Sequence, residues 1–184
     1  MTGTYAPLLA TKLELIFNRT FTATNTLLVG GGVEPVYLPS DNSIAPHQLI
    51  YREDYFSSAL HEIAHWCIAG DKRREKKDFG YWYLPDGRDQ NQQKAFEQVE
   101  VKPQALEWMF SVAAGIRFCL SADNLSGTGS LSEDFPLKVQ QQAISWCKFR
   151  ETIPSRGLQF ISALEQFYQQ SDTLDICHYR QLPR

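Results

Sequence analysis

At 184 residues, with 43% hydrophobic and 12% aromatic content, the chain is long enough to bury a sizeable core in one domain and too apolar to be disordered. A net charge of −3 gives no general pull toward nucleic acid, and no apolar run approaches the length needed to span a bilayer. The four cysteines, Cys67, Cys119, Cys147 and Cys177, are scattered with no C-x-x-C pair, and no secretory leader pattern precedes them, so the expectation is reduced thiols in a soluble cytoplasmic protein.

In chain order, residues 7–18 predict a helix with Pro7 in its first turn. Residues 26–29 and 35–38 read as short strands around a Gly30-Gly31-Gly32 turn, and residues 48–51 as a third β-type run. Residues 55–69 predict an amphipathic helix, because Phe56, Ala59, Leu60, Ile63, Ala64 and Cys67 recur at three- and four-residue steps. Asp54 precedes this helix as an N-cap and Gly70 follows it as a stop. Residues 71–77 (DKRREKK) form a charged connector. Aromatic residues then cluster at Phe79, Tyr81, Trp82 and Tyr83, ahead of a Pro85-Asp86-Gly87 turn. A further helix starts near Asp89 and runs to about Val101. Pro103 marks a break or a new first turn, and residues 104–114 continue helically to Gly115. Residues 121–134 are rich in Ser, Gly and Asp and predict a loop, with amphipathic helices near 135–151 and 157–170 closing the chain. These elements describe the α+β class, a mainly helical single domain over residues 1–184 with a small β-sheet.

The chemistry concentrates in five residues, His61-Glu62-Ile63-Ala64-His65, an H-E-x-x-H motif holding two of the four histidines. Histidines four apart on a helix share a face, roughly 6 Å apart along the axis, so both imidazoles can bind one ion. A metal centre that does chemistry commonly has three protein ligands and an open position. His47 lies beside Pro46 in a loop and His178 in the tail. Stronger candidates are the acidic residues of FEQVEVKPQALEW: Glu97, Glu100 and Glu107. Glu97 and Glu100 are three apart, and only the rotation of their helix decides between them. Carboxylates among Phe96, Val99, Val101, Leu106 and Trp108 are costly to bury unless paired or bound to metal.

Two histidines and one carboxylate admit two chemistries. With zinc, the set describes a metallopeptidase in which Glu62 is the general base for a metal-bound water. With ferrous iron it is a facial triad with positions left open for oxygen and substrate. The metzincin extension is absent, since Ile68 and Asp71 stand where its glycine and third histidine would be. A third possibility is a non-catalytic adaptor that keeps a metal for stability.

The blocks EPVYLP (34–39), HEIAHWCIAG (61–70), DFGYWYLPDGRD (78–89) and FEQVEVKPQALEW (96–108) together resemble the bacterial elongation factor P hydroxylase family, in unbroken order from about residue 10 to about residue 125. The resemblance implies a zincin-like H-E-x-x-H helix rather than a double-stranded β-helix. It implies metal ligands His61, His65 and Glu100, and Fe(II) as cofactor with O2 as co-substrate and the electron donor unspecified. It implies an oxygen-dependent hydroxylase whose substrate is the lysylated lysine of translation elongation factor P, with no nucleic acid or membrane partner. Glu62 then becomes a candidate catalytic residue beside the metal, orienting a ligand or contacting the substrate amine. Tyr81 and Trp82 offer ring faces to that amine, worth roughly 0.5–2 kcal/mol depending on solvation. Asp86 could pair with it, and Arg88 lies between Gly87 and the helix carrying Glu100. The basic run at Lys72, Arg73 and Arg74 is a candidate for steering an acidic substrate protein.

Overall fold

The computed structural model describes residues 9–41, 44–79, 87–121 and 131–183. Among these, helix α1 (Ala10–Thr20) leads through a short 3-10 turn into strand β1 (Thr26–Gly32), followed by β2 (Val36–Leu38) and β3 (His47–Arg52). Helices α2 (Phe56–Ile68), α3 (Asp71–Arg74), α4 (Gln90–Ala113), α5 (Phe135–Lys148) and α6 (Ser155–Tyr168) follow. The architecture is mainly helical with one small sheet, as the sequence predicts. The helical expectations near 135–151 and 157–170 correspond to α5 and α6.

Strand order in the sheet is β1-β3-β2, with β1 parallel and β2 antiparallel to β3. The glycine run is therefore not a turn joining two paired strands. It belongs to β1 itself, with an irregularity in the pairing between Val29 and Gly32. Gly31 takes φ +82°, a conformation that side chains disfavour. A Cβ at Gly30 would stand 2.6 Å from the Tyr51 hydroxyl oxygen. That close approach has a purpose: one Glu14 carboxylate oxygen accepts from Gly30 N–H at 2.9 Å and from the Tyr51 hydroxyl at 3.0 Å, tying α1 to β1 and β3.

Helix α2 lies against β3, α1, α4 and α6, and eight of its thirteen residues are buried. Tyr55, not Asp54, is its N-cap, and no side chain caps it. The helix stops at Ile68, but Gly70 has φ −74° and opens α3 instead of closing α2 in a left-handed turn. Helix α4 starts where predicted: Asp89 accepts from the backbone N–H groups of Asn91 and Gln92, and Gln92 returns a side-chain acceptor to Asp89 N–H. It does not break at Pro103. The carbonyl that loses its partner there, four residues back at Val99, belongs to a half-exposed residue, so the helix runs on through the proline.

A contiguous apolar core joins α1, the inner face of the sheet, α2, the second half of α4, α5 and α6. Its centre is aromatic: Trp66 packs edge-on to Phe17 at 4.9 Å and Phe21 at 4.8 Å, and Phe110 meets Phe160 at 5.0 Å. This packing fixes α2 against α4 and sets the relation between the two helices that carry the candidate ligands.

Candidate metal centre

Helix α2 presents His61 and His65 one turn apart, with His61 buried and His65 partly so. Their rings meet at 70°, and the two Nε2 atoms stand 3.0 Å apart. From α4, Glu100 places Oε1 3.1 Å from His65 Nε2 and Oε2 3.6 Å from His61 Nε2. Ligand atoms about 2.1 Å from one ion stand roughly 3.0–3.4 Å apart in octahedral or tetrahedral order, so the spacing suits a single cation. Glu100 is fully buried, and neither of its carboxylate oxygens has a hydrogen-bond partner. A buried carboxylate without donors is expensive unless a cation satisfies it. Among the described residues, His61, His65 and Glu100 form the group that could hold a metal ion.

A fourth residue completes the arrangement. Glu107, two helical turns beyond Glu100, places Oε2 2.8 Å from His61 Nδ1. With Nδ1–H donating to Glu107, the Nε2 lone pair of His61 is left facing Glu100 and His65, the form an imidazole needs to bind a metal. The electrostatics agree. Burial alone would lower His61, but the Glu107 hydrogen bond and the charges of Glu100, Glu107 and Glu62 hold its pKa well above the ordinary value. Burial acts to raise Glu100, yet His65 and then His61 bring it down to about 2. Burial lifts Glu107 above the usual carboxylate range against the opposing pull of His61. The group is built to contain positive charge, whether carried by protons or by a metal.

The other two acidic candidates are resolved by their partners. Glu97 turns away from the histidines and accepts from the backbone N–H of Ser132 at 2.8 Å and from the Ser132 hydroxyl, holding the approach to α5. Glu107 touches His61 without joining the ligand group. The two remaining histidines are engaged elsewhere: His47 accepts from Ser40 N–H at 2.8 Å, and His178 lies in the terminal turn Ile176–Tyr179. Glu62 is buried on α2 and lines a pocket with His65, Tyr37, Leu49, Trp66 and Asp78. Arg88 is fully buried, stacked 3.8 Å from the Phe96 ring centroid, and donates from Nε to Gln93 at 3.0 Å. Tyr81, Trp82 and Asp86 lie outside the described residues.

Arg73 and Arg74 are not free surface charges. Arg73 pairs with Asp78, and Arg74 with Asp71 and the Ala69 carbonyl. Asp78 also exchanges backbone hydrogen bonds with Tyr37, extending the sheet edge beside α2. No helix among the described residues is long and apolar enough to cross a membrane.

Comparison with known proteins places this geometry. The family model for elongation factor P hydroxylase matches residues 16–179. A relative from Haemophilus influenzae, named elongation factor P lysine hydroxylase, is 44% identical over 91% of this chain and 96% of its own length. Glu107 and Glu100 both fall within the matched span, as do the two motif histidines and the sheet that supports them. With the fold spanned almost end to end by these matches, the chain belongs to the elongation factor P hydroxylase family.

Proposed function

We propose that the chain is a metal-dependent protein hydroxylase that oxidises the lysylated lysine of elongation factor P, with Fe(II) held by His61, His65 and Glu100 and O2 as co-substrate. The observation that supports this is the buried His61–His65–Glu100 group with its poorly satisfied carboxylate, in a chain whose family is named for hydroxylation of elongation factor P. Iron, when bound, supplies the activation of oxygen toward a side-chain carbon.

The chain's own residues do the rest. Glu107 holds His61 in the metal-binding tautomer. Glu62, in the pocket beside His65, is placed to receive the cationic amine of a long lysine side chain. Arg88, packed on Phe96 and bonded to Gln93, braces the start of the helix that carries Glu100, and Tyr81, Trp82 and Asp86 supply ring faces and charge for the amines. The domain is a single cytoplasmic unit acting on a protein, not on nucleic acid or membrane.

The test is direct. The protein is purified anaerobically, loaded with ferrous iron, mixed with lysylated elongation factor P and oxygen, and the product is weighed. A gain of one oxygen atom on the modified lysine is the expected result. Cleaved peptide bonds under zinc would support the metallopeptidase alternative with Glu62 as general base. An unchanged product, with melting on chelation, would leave a metal that serves stability alone.

A further inference from the structure

Beside the Glu62–His65 pocket lies a second, broader depression, open to solvent. The two share Tyr37, Trp66 and Arg74 as walls. The broader one adds Thr24, Thr26, Ser40 and His47 from the sheet side and Arg156 from the first turn of α6. Arg156 is unusual. Its guanidinium carbon lies 4.3 Å from the Trp66 ring centroid, and that ring is its contact. It forms no hydrogen bond and no ion pair among the described residues, and its Nη1 is buried without a partner. The indole Nε1–H of Trp66, a residue only 3% exposed, is a second buried donor with no acceptor.

Two unpartnered donors on residues that line the groove are a cost that an acceptor reaching them would remove. Arg74, on the same wall, adds a second guanidinium. Its partner Asp71 neutralises it, and Glu75 on the same lining is exposed. Burial, and next the neighbouring Arg74, draws Arg156 below the usual arginine range, so an incoming negative charge would relieve both effects. A planar guanidinium without an acidic partner suits a carboxylate, which can accept two parallel bonds. The depression is open to solvent rather than enclosing, and it adjoins the pocket lined by His65 across the shared walls Tyr37, Trp66 and Arg74.

We propose that this groove is a carboxylate-docking subsite, built on Arg156 and Trp66, which grips an acidic side chain of the protein substrate while that protein's lysine enters the pocket beside His65. The proposal rests on the protein-hydroxylase reading above.

The test separates the two. The affinity of metal-free protein for full-length lysylated elongation factor P is measured by titration calorimetry at about 50 mM and about 300 mM salt. Arg156→Gln should weaken binding by about 10- to 100-fold at low salt and flatten the salt dependence, while Arg156→Lys should fall between it and wild type. In the iron-loaded protein, Arg156→Gln should raise KM for the full-length substrate and leave kcat unchanged. A short peptide carrying the same modified lysine should be hydroxylated equally by both proteins. Thermal melting confirms that each variant is folded. Equal affinity and equal salt dependence in wild type and Arg156→Gln would overturn the docking site while leaving the hydroxylase reading intact. So would a variant that loses affinity only for free succinate. If wild type binds the substrate protein but never hydroxylates it, the function reading falls and the calorimetry still decides the groove.

Discussion

Helix α2 buries two unlike surfaces. One is aromatic: Trp66 meets Phe17 and Phe21, with Phe160 and Phe110 behind them. The other is polar and ionisable: His61 and His65 meet Glu100 and Glu107 on α4. Apart from the indole N–H of Trp66, the aromatic side needs no partner, since removing ring surface from water is favourable whatever is bound nearby. The polar side does. Its carboxylates are desolvated, their nearest neighbours are imidazoles, and Glu100 has no well-aligned hydrogen bond to satisfy it. The difference separates folding from function along one helix. Damage to the first surface should cost stability and spare metal affinity in the molecules that still fold. Damage to the second should cost metal affinity first, and stability only where it strands a buried charge, because an intact buried ionic cluster is a weak source of net stabilisation.

The sharpest break of this comparison is Glu100→Ala or His61→Ala. Either should abolish metal binding, read by metal content after dialysis, and with it hydroxylation. The metal-free melting temperature of Glu100→Ala should stay near that of metal-free wild type, because the imidazoles can remain neutral, whereas His61→Ala leaves Glu107 buried without its partner and should melt lower. A large drop in Glu100→Ala would show that the polar surface also holds the fold together. The mirror experiment is Phe160→Ala, which should cost about 3–5 kcal/mol in denaturant unfolding. Metal affinity of the folded fraction should be unchanged.

Glu107→Gln is a finer probe, because it keeps an acceptor for His61 Nδ1–H but removes the charge. Metal affinity should fall by about 10- to 100-fold, with the imidazole tautomer, read by nitrogen NMR, preserved. An unaltered affinity would reduce Glu107 to packing.

Protons should compete with the metal. In the metal-free fold, His61 is held above its ordinary value chiefly by Glu107 and Glu100, against the effect of burial. Its protonated form therefore stabilises that fold fully below about pH 6.5, and the contribution is lost as pH rises through the raised folded pKa. The gain in melting temperature on adding metal should consequently grow from about pH 6 to about pH 8. A gain independent of pH over that range would mean that His61 carries no proton for the metal to displace. The smallest effect belongs to Glu97→Ala. It removes the acceptor for Ser132 and should cost about 1 kcal/mol. Metal affinity should be unmoved, which separates Glu97 from Glu100 three residues away.

Much of this was open to reading in one dimension. The H-E-x-x-H spacing needs only a helix to bring two imidazoles together, and the run from Phe56 to Cys67 has the period of one. Asp89 with Gln92 announces the start of α4. Other expectations failed for reasons outside the local sequence. The three glycines of β1 look like a turn because glycine favours turns, yet Gly30 is there to let Tyr51 approach. Pro103 looks like a break because proline removes a donor, yet the lost bond falls on the half-exposed side of the helix.

Glu107 is instructive: the sequence offered it as a candidate ligand, and the fold makes it the partner of His61 Nδ1 instead. Gln93, Glu97, Glu100, Gln104, Glu107 and Ser111 follow steps of four and three, so they share one helical stripe, and all six are buried. Such a polar stripe ordinarily marks the face toward solvent. Here each member has its own interior partner. Gln93 holds Arg88, Glu97 holds Ser132, Gln104 exchanges bonds with Ser121, and Ser111 bonds back to the Glu107 carbonyl. Glu100 and Glu107 face the histidines. The spacing was visible, but the side it faced was not.

What the chain of residues determined unaided is the family and the metal-seeking pair on α2, because both depend on neighbours within a few positions. The family resemblance already implied Glu100 as the partner of that pair; what the folded molecule alone decided is that Glu107 orients His61 and that Arg156 lies over Trp66. His61 and Glu107 are 46 positions apart, and the meeting of such distant groups is set by how helices pack on a shared core. Periodicity names the residues on a face; only packing determines what covers it.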